Sequence, residues 1–312
     1  MWRLSWRMQR FELRLLIGAA LVLAVAMLAI AWQVRAVRSD ELACLAAAPP
    51  AVEGSSDGRC LEFLGARDLL DRATLATGAG ALLAPFVLGL FLGVPIVARE
   101  VEHRTAAIAW SLSASRRRWL VGRAAPILVA ITVAGLSVGM AGEVLMRSAP
   151  WNEGVDASFD FYGSRGPLVP ARALAVGALG LAVGAVVPRQ LPAVLVGGGL
   201  LVAFAIGLAV VTDEWMRDAT VPVPMAATQG AARIYDMGVQ DDATGELISL
   251  EEAYAEHPEL METGEAPGLT MIAFVVPGTA YDTFVWRETA ILAGGAVLAL
   301  ALATLVVGVR RS

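Results

Sequence analysis

The residue types that support catalysis are scarce in this chain of 312 residues. All 24 basic residues are Arg, and the sequence contains no Lys. A phosphate-binding loop of the GxxxxGK[ST] kind, a Schiff base and a Ser–Lys catalytic pair each require a Lys. The sequence therefore excludes these three kinds of site from this chain.

Histidine and cysteine are too few, and too scattered, to predict a metal centre. The sequence Glu102-His103 lacks the rest of an HExxH metalloprotease motif, and His257 lies in a distant loop. Two Cys and two His do not match the spacing of a structural zinc site. An intramembrane enzyme would need a nucleophile and a base, and no credible set is found. We expect no catalytic residue, no metal and no cofactor in this chain.

Composition indicates a membrane protein. The chain is 57% hydrophobic and 17% charged, whereas a soluble domain has about 45–50% apolar and about 25% charged residues. Six apolar stretches are long enough to cross a hydrocarbon core, which takes about 20 helical residues. They lie near Leu15–Val34, Leu75–Val97, Ala124–Met146, Leu168–Val187, Leu191–Val211 and Thr289–Val309. The predicted fold is an all-α membrane protein with six transmembrane helices.

Arginine placement predicts the orientation of these helices, because short basic loops stay in the cytoplasm. With the N-terminus inside, the inner segments are 1–14, 98–123, 188–192 and 309–312. They contain 13 Arg and 3 acidic residues, and the outer segments contain 11 Arg and 26 acidic residues. Both termini are therefore predicted to be cytoplasmic. The acidity of the chain lies almost wholly outside, which argues against nucleic-acid binding.

The remaining segments complete the predicted organisation. Residues 1–14 form an interfacial N-terminal helix, and 15–211 contain the first five spans with an inner loop at 98–123. Residues 212–287 form an external cap, and 288–312 contain the sixth span and the C-terminus. Within the cap, the pattern predicts a hairpin over 233–250 and a short helix over 249–257. The apolar segment Leu269–Val276 is too short to span and is a candidate re-entrant piece.

Two pairs of residues are candidates for structural or functional links. Cys44 and Cys60 fall in the first outer loop, where an oxidising compartment favours a disulfide over two free thiols. Glu143 and Arg172 lie near the outer ends of the third and fourth spans. They are a candidate ion pair beside an exit vestibule, and the alternative is that both reach separately towards the lipid headgroups.

The inner loop carries the strongest functional signal. Thr105–Leu112 is a short, mostly apolar segment in which Thr105, Ile108, Ala109 and Leu112 share one helical face. Charged residues flank it on both sides, from Arg99 to Arg104 and at the Arg116-Arg117-Arg118 run. Such a helix either docks in the groove of a partner or lies on the membrane surface. The residues alone leave both possibilities open.

The stretch Phe91–Leu120 resembles the loop between the second and third helices of bacterial ATP-binding-cassette (ABC) exporter permeases of the type-2 family, in particular an actinobacterial branch. The matching positions are Gly93, Pro95, Ala98, Arg99, Glu100, Glu102, Thr105, Ala109, Trp110, Ser113, Arg116, Arg118, Trp119 and Leu120. The family's Gly before Thr is replaced by Arg104. Trp2–Arg10 is similar to the family's opening, and Val276–Glu288 is similar to its aromatic run before the last helix.

The resemblance implies a permease that moves an amphipathic or lipophilic substrate, such as a drug or antibiotic, across the bacterial cell membrane. It implies separate cytosolic ABC ATPase subunits, which alone would handle ATP and magnesium, and a second permease chain as dimer partner. The short helix would dock on the ATPase as a coupling helix. The residues assigned to coupling are Arg99, Glu100, Glu102, Arg104, Thr105, Ile108, Ala109, Trp110 and Leu112.

Two other functions remain open at this stage. A stand-alone secondary transporter would show internal repeats and ionisable residues near the membrane midplane, and neither is evident in the sequence. An ATPase-coupled protein that passes motion to its external cap without export is compatible with the size of the cap.

Overall fold

The computed structural model describes residues 10–47, 60, 62–103, 105–111, 115–148, 159, 161–225, 228, 231–258, 260 and 266–309. Its helices are α1 (Arg10–Ala47), α2 (Glu62–Gly93), α3 (Pro95–Glu102), α4 (Thr105–Ser111), α5 (Arg116–Ser148), α6 (Leu168–Val186), α7 (Gln190–Asp218), α8 (Leu250–Glu256) and α9 (Tyr281–Val309). Its strands are β1 (Val221–Pro224), β2 (Ala231–Asp241), β3 (Leu247–Ser249) and β4 (Leu269–Pro277).

The predicted all-α membrane fold is confirmed. Six helical stretches are long and apolar enough to cross a membrane, with α2 and α3 together forming the second. Each contains one of the six predicted spans, but most are longer than predicted. For example, α1 has 38 residues, from Arg10 to Ala47. Residues 10–14 therefore continue the first span as one helix, and the rest of the predicted interfacial helix lies outside the described residues.

The chain divides into two compact units. The first contains 1–149, 163–203 and 285–312, and the second contains 150–162 and 204–284. The first unit thus holds the described parts of α1 to α6, the first half of α7 and nearly all of α9. The second holds the rest of α7, the strands, α8 and the first turn of α9.

Helix α6 is the most buried of the apolar helices in the first unit. Its glycines allow unusually close backbone approach to the second span: a Cβ on Gly184 would collide with the carbonyl oxygen of Val94, the residue between α2 and α3. Similarly, a Cβ on Gly93 would lie 2.5 Å from the carbonyl oxygen of Gly177. Small residues let membrane helices approach in this way without a hydrophobic driving force. The helices that flank the inner loop are therefore packed backbone to backbone against α6.

The second span is interrupted between Gly93 and Pro95. Proline has no N–H group, so Pro95 cannot donate to the carbonyl of Phe91. Val94 keeps helical dihedrals, with φ −60° and ψ −47°. The direction of the span is thus nearly maintained, while one backbone hydrogen bond is missing directly before α3.

The second unit contains a four-stranded antiparallel sheet with the order β1-β4-β2-β3. The predicted hairpin corresponds to β2 and β3, and the predicted short helix corresponds to α8, in which the N–H of Glu252 donates to the side chain of Ser249. The re-entrant interpretation of Leu269–Val276 was wrong. This segment is β4, whose backbone pairs with β1 on one side and β2 on the other.

An aromatic cluster forms part of the core of the second unit. Phe159 packs edge-on against Tyr281 and Phe284, with ring centroids 5.5 and 5.6 Å apart. Met216 of α7 and Val276 of β4 are buried in the same cluster. Phe159 is 5% exposed. Phe159 is therefore a core residue of the second unit.

Candidate coupling site

The short helix α4 lies in the predicted position, between the second and third spans. It begins at Thr105 and ends at Ser111, so it makes about two turns. Thr105 and Ser111 are exposed, Ala106 is buried and Trp110 is half-buried. One side of α4 therefore faces the rest of the first unit. The side chains of Ile108 and Ala109, and the whole of Arg104 and Leu112, lie outside the described residues.

A buried carboxylate connects α4 to the membrane helices. The Thr105 hydroxyl donates to Glu100 Oε2 at 2.8 Å, and the guanidinium of Arg123 on α5 donates to Glu100 Oε1. Glu100 is 6% exposed. A buried charge is tolerated when it is paired and hydrogen-bonded, as it is here. Glu100 thus joins α3, the start of α4 and α5 at one point, and it is not a surface residue.

Two tryptophans extend this connection along α5. The ring of Trp110 on α4 packs edge-on against Trp119 on α5, with centroids 6.0 Å apart. The guanidinium of Arg116 lies 4.8 Å from the ring centroid of Trp110, and that of Arg123 lies 5.6 Å from the ring of Trp119. Cation–π pairs at these distances are attractive. Arg116, at the start of α5, therefore contacts α4 directly.

The remaining charged residues of the loop contact two other spans. Arg99 pairs with Glu12 of α1 at 3.5 Å. The Glu102 carboxylate accepts a hydrogen bond of 2.9 Å from the backbone N–H of Gln190, the first residue of α7. A carboxylate at a helix N-terminus satisfies an unpaired N–H group and interacts favourably with the helix dipole. The predicted coupling residues Arg99, Glu100 and Glu102 are thus connected to α1, α5 and α7 respectively.

The predicted pairing of Glu143 with Arg172 is corrected by the structure. Glu143 pairs with Arg147 at 3.0 Å and lies 4.0 Å from Arg165. Arg172 pairs instead with Glu288 of α9 at 2.7 Å and donates to the carbonyl of Gly163 at 3.2 Å. Arg172 and Glu288 are 6% and 0% exposed, so this pair is buried. Depth along a span can be read from sequence, but the rotation of each helix selects the partner.

The other predicted pair is present. Cys44 and Cys60 form a disulfide with a Cα–Cα distance of 6.2 Å, which connects the end of α1 to the segment before α2. Sequence reasoning did not identify Arg123 or Glu288 as partners. A signal existed for both, because an ionisable residue at the end of a membrane span usually requires an opposite charge or a hydrogen-bond partner.

One comparison with known proteins identifies a family. A family model described as "ABC-2 membrane transporter related" matches residues 17–217, more than half of the chain. The chain belongs to this family. The match covers all but the start of the first span, the next four predicted spans and the whole inner loop 98–123. No curated protein and no solved structure shows significant similarity to the chain.

Membership of the ABC-2 membrane transporter related family indicates a membrane transport component of the ABC permease type. It also implies membrane embedding and an ATPase partner. Among the residues that the structure describes, no group of three or more His, Cys, Asp or Glu is arranged to hold a metal ion.

Proposed function

We propose that this chain is the permease subunit of an ABC exporter in the bacterial cell membrane, with both termini in the cytoplasm. A separate ATPase would dock on α4 and drive outward movement of an amphipathic substrate. A second permease chain, identical or related, would complete the pathway. The observation that carries the proposal is the way α4 is held. Its Thr105 donates to Glu100 of α3, and its Trp110 packs against Trp119 of α5.

This arrangement suits the transmission of force. A helix that only rests on a membrane surface needs an apolar face and basic residues, but it does not need a buried carboxylate at its first residue. Glu100 is held by both Thr105 and Arg123, so displacement of α4 acts directly on α3 and α5. Further contacts of Arg99 and Glu102 reach α1 and α7. A partner that moves α4 would therefore move four spans.

The proposal is tested by copurification. The full chain is co-expressed with the ATPase encoded beside it and purified through a tag on this chain. We expect the ATPase to copurify, and we expect replacement of Ile108 and Leu112 by Asp to abolish the association. The sequence predicts that both residues lie on one helical face of the segment Thr105–Leu112. If the double variant binds the ATPase as well as the wild type does, the docking proposal is wrong.

The control variant for this experiment is Ser115→Asp. Ser115 is exposed in the same loop, and its hydroxyl accepts from the N–H of Arg118 at the start of α5. Asp is an equally good N-cap, so the variant adds a carboxylate to the loop without removing the cap. We expect it to bind the ATPase normally. Loss of binding in this variant would show that added negative charge, rather than disruption of α4, explains the result.

A second function is favoured by one observation in the second unit. The end of α7, strand β4 and the start of α9 share one buried cluster, in which Met216, Val276 and Phe284 meet. The Tyr235 hydroxyl of β2 also donates to Asp213 of α7 at 3.1 Å. Since the sheet is packed on the ends of two membrane helices, movement of those helices would reach it. The chain could then transmit ATP-driven motion to an external partner instead of exporting a substrate.

Amide hydrogen exchange separates these two functions. The complex is reconstituted with its ATPase, and exchange in β2 and β4 is compared with and without ATP, using a hydrolysis-deficient ATPase as control. Transmission predicts an ATP-dependent change in exchange in these strands without movement of substrate. Export with unchanged exchange in the sheet would favour the first function and contradict the second.

A further inference from the structure

The first unit contains a cavity of about 750 Å³ between α1, the α2–α3 span and α7. This volume falls within the range of about 300–1,000 Å³ that is usual for small-molecule sites. The lining residues are Glu12, Leu15, Leu16, Val87, Phe91, Pro95, Glu102, His103, Gln190, Leu191 and Val194. None of them was assigned to a substrate site from the sequence.

The polar lining residues lie together at one end of the cavity. Glu12 precedes the apolar lining residues of α1, Glu102 follows those of the α2–α3 span, and Gln190 precedes those of α7. The Glu102 carboxylate accepts from the N–H of Gln190, and Arg99, three residues before Glu102, pairs with Glu12. These contacts bring the polar ends of all three helices to the same level. The cavity therefore has a polar mouth and an apolar body.

The body presents large apolar side chains. Leu15 is 60% exposed, Phe91 is 49% exposed and Leu191 is 71% exposed. An aromatic ring and several aliphatic side chains can bury the hydrophobic part of a ligand at about 25 cal/mol per Å². The body thus suits the apolar part of an amphipathic molecule.

The mouth is acidic. Glu12 and Glu102 carry the formal negative charges among the lining residues that the structure describes, and no Arg is part of that lining. Arg99 lies beside the mouth and offsets the charge of Glu12. A carboxylate offers about four acceptor positions, and the bond from Gln190 to Glu102 uses one of them. With Arg99 counted against Glu12, the net charge at the mouth is that of one carboxylate. Such a site favours a ligand with a single positive charge and repels a phosphate.

We infer that this cavity binds a monovalent amphipathic cation, with its charged group at Glu102 and Glu12 and its apolar part against Leu15, Phe91 and Leu191. The binding itself does not require the proposed exporter function. We further infer that the bound cation is cargo, which enters from the lipid leaflet on the side of α4. This second statement rests on the proposed exporter function. Glu102 lines the cavity and Arg99 lies beside its mouth, so an occupant lies next to the two residues of α3 that contact α7 and α1.

Binding is measured with the purified full chain in detergent, without ATPase, using tetraphenylphosphonium as probe. Tetraphenylborate has nearly the same shape and the opposite charge, so it makes the same apolar contacts while the acidic mouth repels it. Glu102→Gln removes the charge but keeps an acceptor for the N–H of Gln190. We expect this variant to weaken phosphonium binding roughly two- to fivefold and to leave borate binding equal or tighter.

Arg99→Gln provides a change in the opposite direction. Removing the guanidinium leaves Glu12 without this counter-charge, so phosphonium binding should tighten about threefold. A misfolded variant cannot bind more tightly, and the result is therefore specific.

Phe91→Ala should weaken the binding of both ions, because it removes part of the apolar wall. Glu214→Gln, an exposed carboxylate on the same helix α7, is the matched control and should bind both ions as the wild type does.

Equal phosphonium affinity in the wild type, Glu102→Gln and Arg99→Gln would overturn the inference. A second pattern would also overturn it. In that pattern the wild type binds tetraphenylborate more tightly than tetraphenylphosphonium, and Phe91→Ala abolishes borate binding without changing phosphonium binding. Because these measurements need no ATPase, they can fail while the ATPase still copurifies through α4. Conversely, phosphonium binding with the expected charge dependence can be found even if no ATPase associates.

Discussion

At the scale of single residues, the buried ion pairs decide which membrane helices are held together. Arg172 and Glu288 connect α6 to α9, and both are almost wholly buried. Gly163, with a φ of +86°, lies so close to Arg172 that a side chain there would collide with the guanidinium. The geometry around this pair is therefore narrowly defined, and loss of either charge should leave the other without compensation.

We predict that Arg172→Met and Glu288→Leu each destabilise the protein by about 3–5 kcal/mol, while the double variant is less destabilised than either single variant. The reason is that each single change buries an unpaired charge, whereas the double change buries none. Thermal unfolding of the detergent-solubilised chain measures the three free energies. Additive effects of the two substitutions would contradict the pairing.

The matched control is the exposed pair Arg72–Asp68 on α2. Its side chains are 76% and 63% exposed and lie four residues apart on one helix. Surface pairs of this kind contribute about 0–1 kcal/mol. Neutral substitutions at Arg72 and Asp68 should therefore barely change the unfolding temperature, which shows that burial of the pair, and not charge alone, is responsible.

Thr105 gives a second prediction at this scale. Thr105→Val removes the hydrogen bond to the Glu100 carboxylate but preserves the shape of the side chain. Hydrogen bonds to charged groups contribute about 1.5–3 kcal/mol, so amide exchange in α4 should become roughly tenfold faster or more. Thr105→Ser keeps the hydroxyl and should exchange at nearly the wild-type rate. Equal exchange in Val and Ser variants would mean that this contact does not hold α4.

At the scale of elements, the packing of α6 against α2 depends on glycine. We predict that Gly184→Ala destabilises the protein by about 1–3 kcal/mol, because the new Cβ would meet the carbonyl oxygen of Val94 and backbone atoms would have to move. Gly198→Ala on α7 is the control, since nothing lies within 4 Å of its Cβ position. Unfolding temperatures in detergent measure both. A larger effect at Gly198 than at Gly184 would contradict the packing.

The elements also show why sequence predicted some features and not others. All six spans could be predicted, because a membrane-crossing backbone must satisfy its hydrogen bonds internally and so requires a continuous apolar helix. The β2–β3 hairpin was likewise predicted from alternation and turn residues. Strand β4 was not predicted, because Leu269–Val276 is apolar on both faces and so lacks the alternation of a half-buried strand. A local pattern also does not predict which strands pair with it. Its identity comes from pairing with β1 and β2.

The same distinction applies to the candidate site. The position of α4 was predicted from an apolar segment between charged flanks, which is local information. The partners of Glu100 and Glu102 were not predicted, because they come from α5 and α7, 23 and 88 residues further along the chain. The Glu143–Arg172 error has the same origin. Two charges at equal depth pair only when their helices are adjacent and turned towards each other.

At the scale of the whole molecule, the proposals depend on which side of the membrane α4 occupies. The predicted inner segments hold 13 of the 24 Arg but only 3 of the 29 acidic residues, and basic loops are retained in the cytoplasm. An ATPase in the cytosol can reach α4 only in this orientation. The reverse orientation would place α4 outside and remove the proposed docking.

Cysteine labelling tests this orientation. Single cysteines are introduced by Ser115→Cys, beside α4, and Glu251→Cys, on α8, in a chain that carries Cys44→Ser and Cys60→Ser. Both positions are exposed, so a membrane-impermeant maleimide can reach whichever faces the outside. We expect intact cells to be labelled at position 251 alone, and position 115 to react only after permeabilisation. Labelling at 115 in intact cells would place α4 outside the cell. The coupling proposal would then be wrong even though every contact that holds α4 remained in place. Those contacts fix α4 to the membrane helices, whereas the arginine distribution alone predicts which side of the membrane α4 occupies.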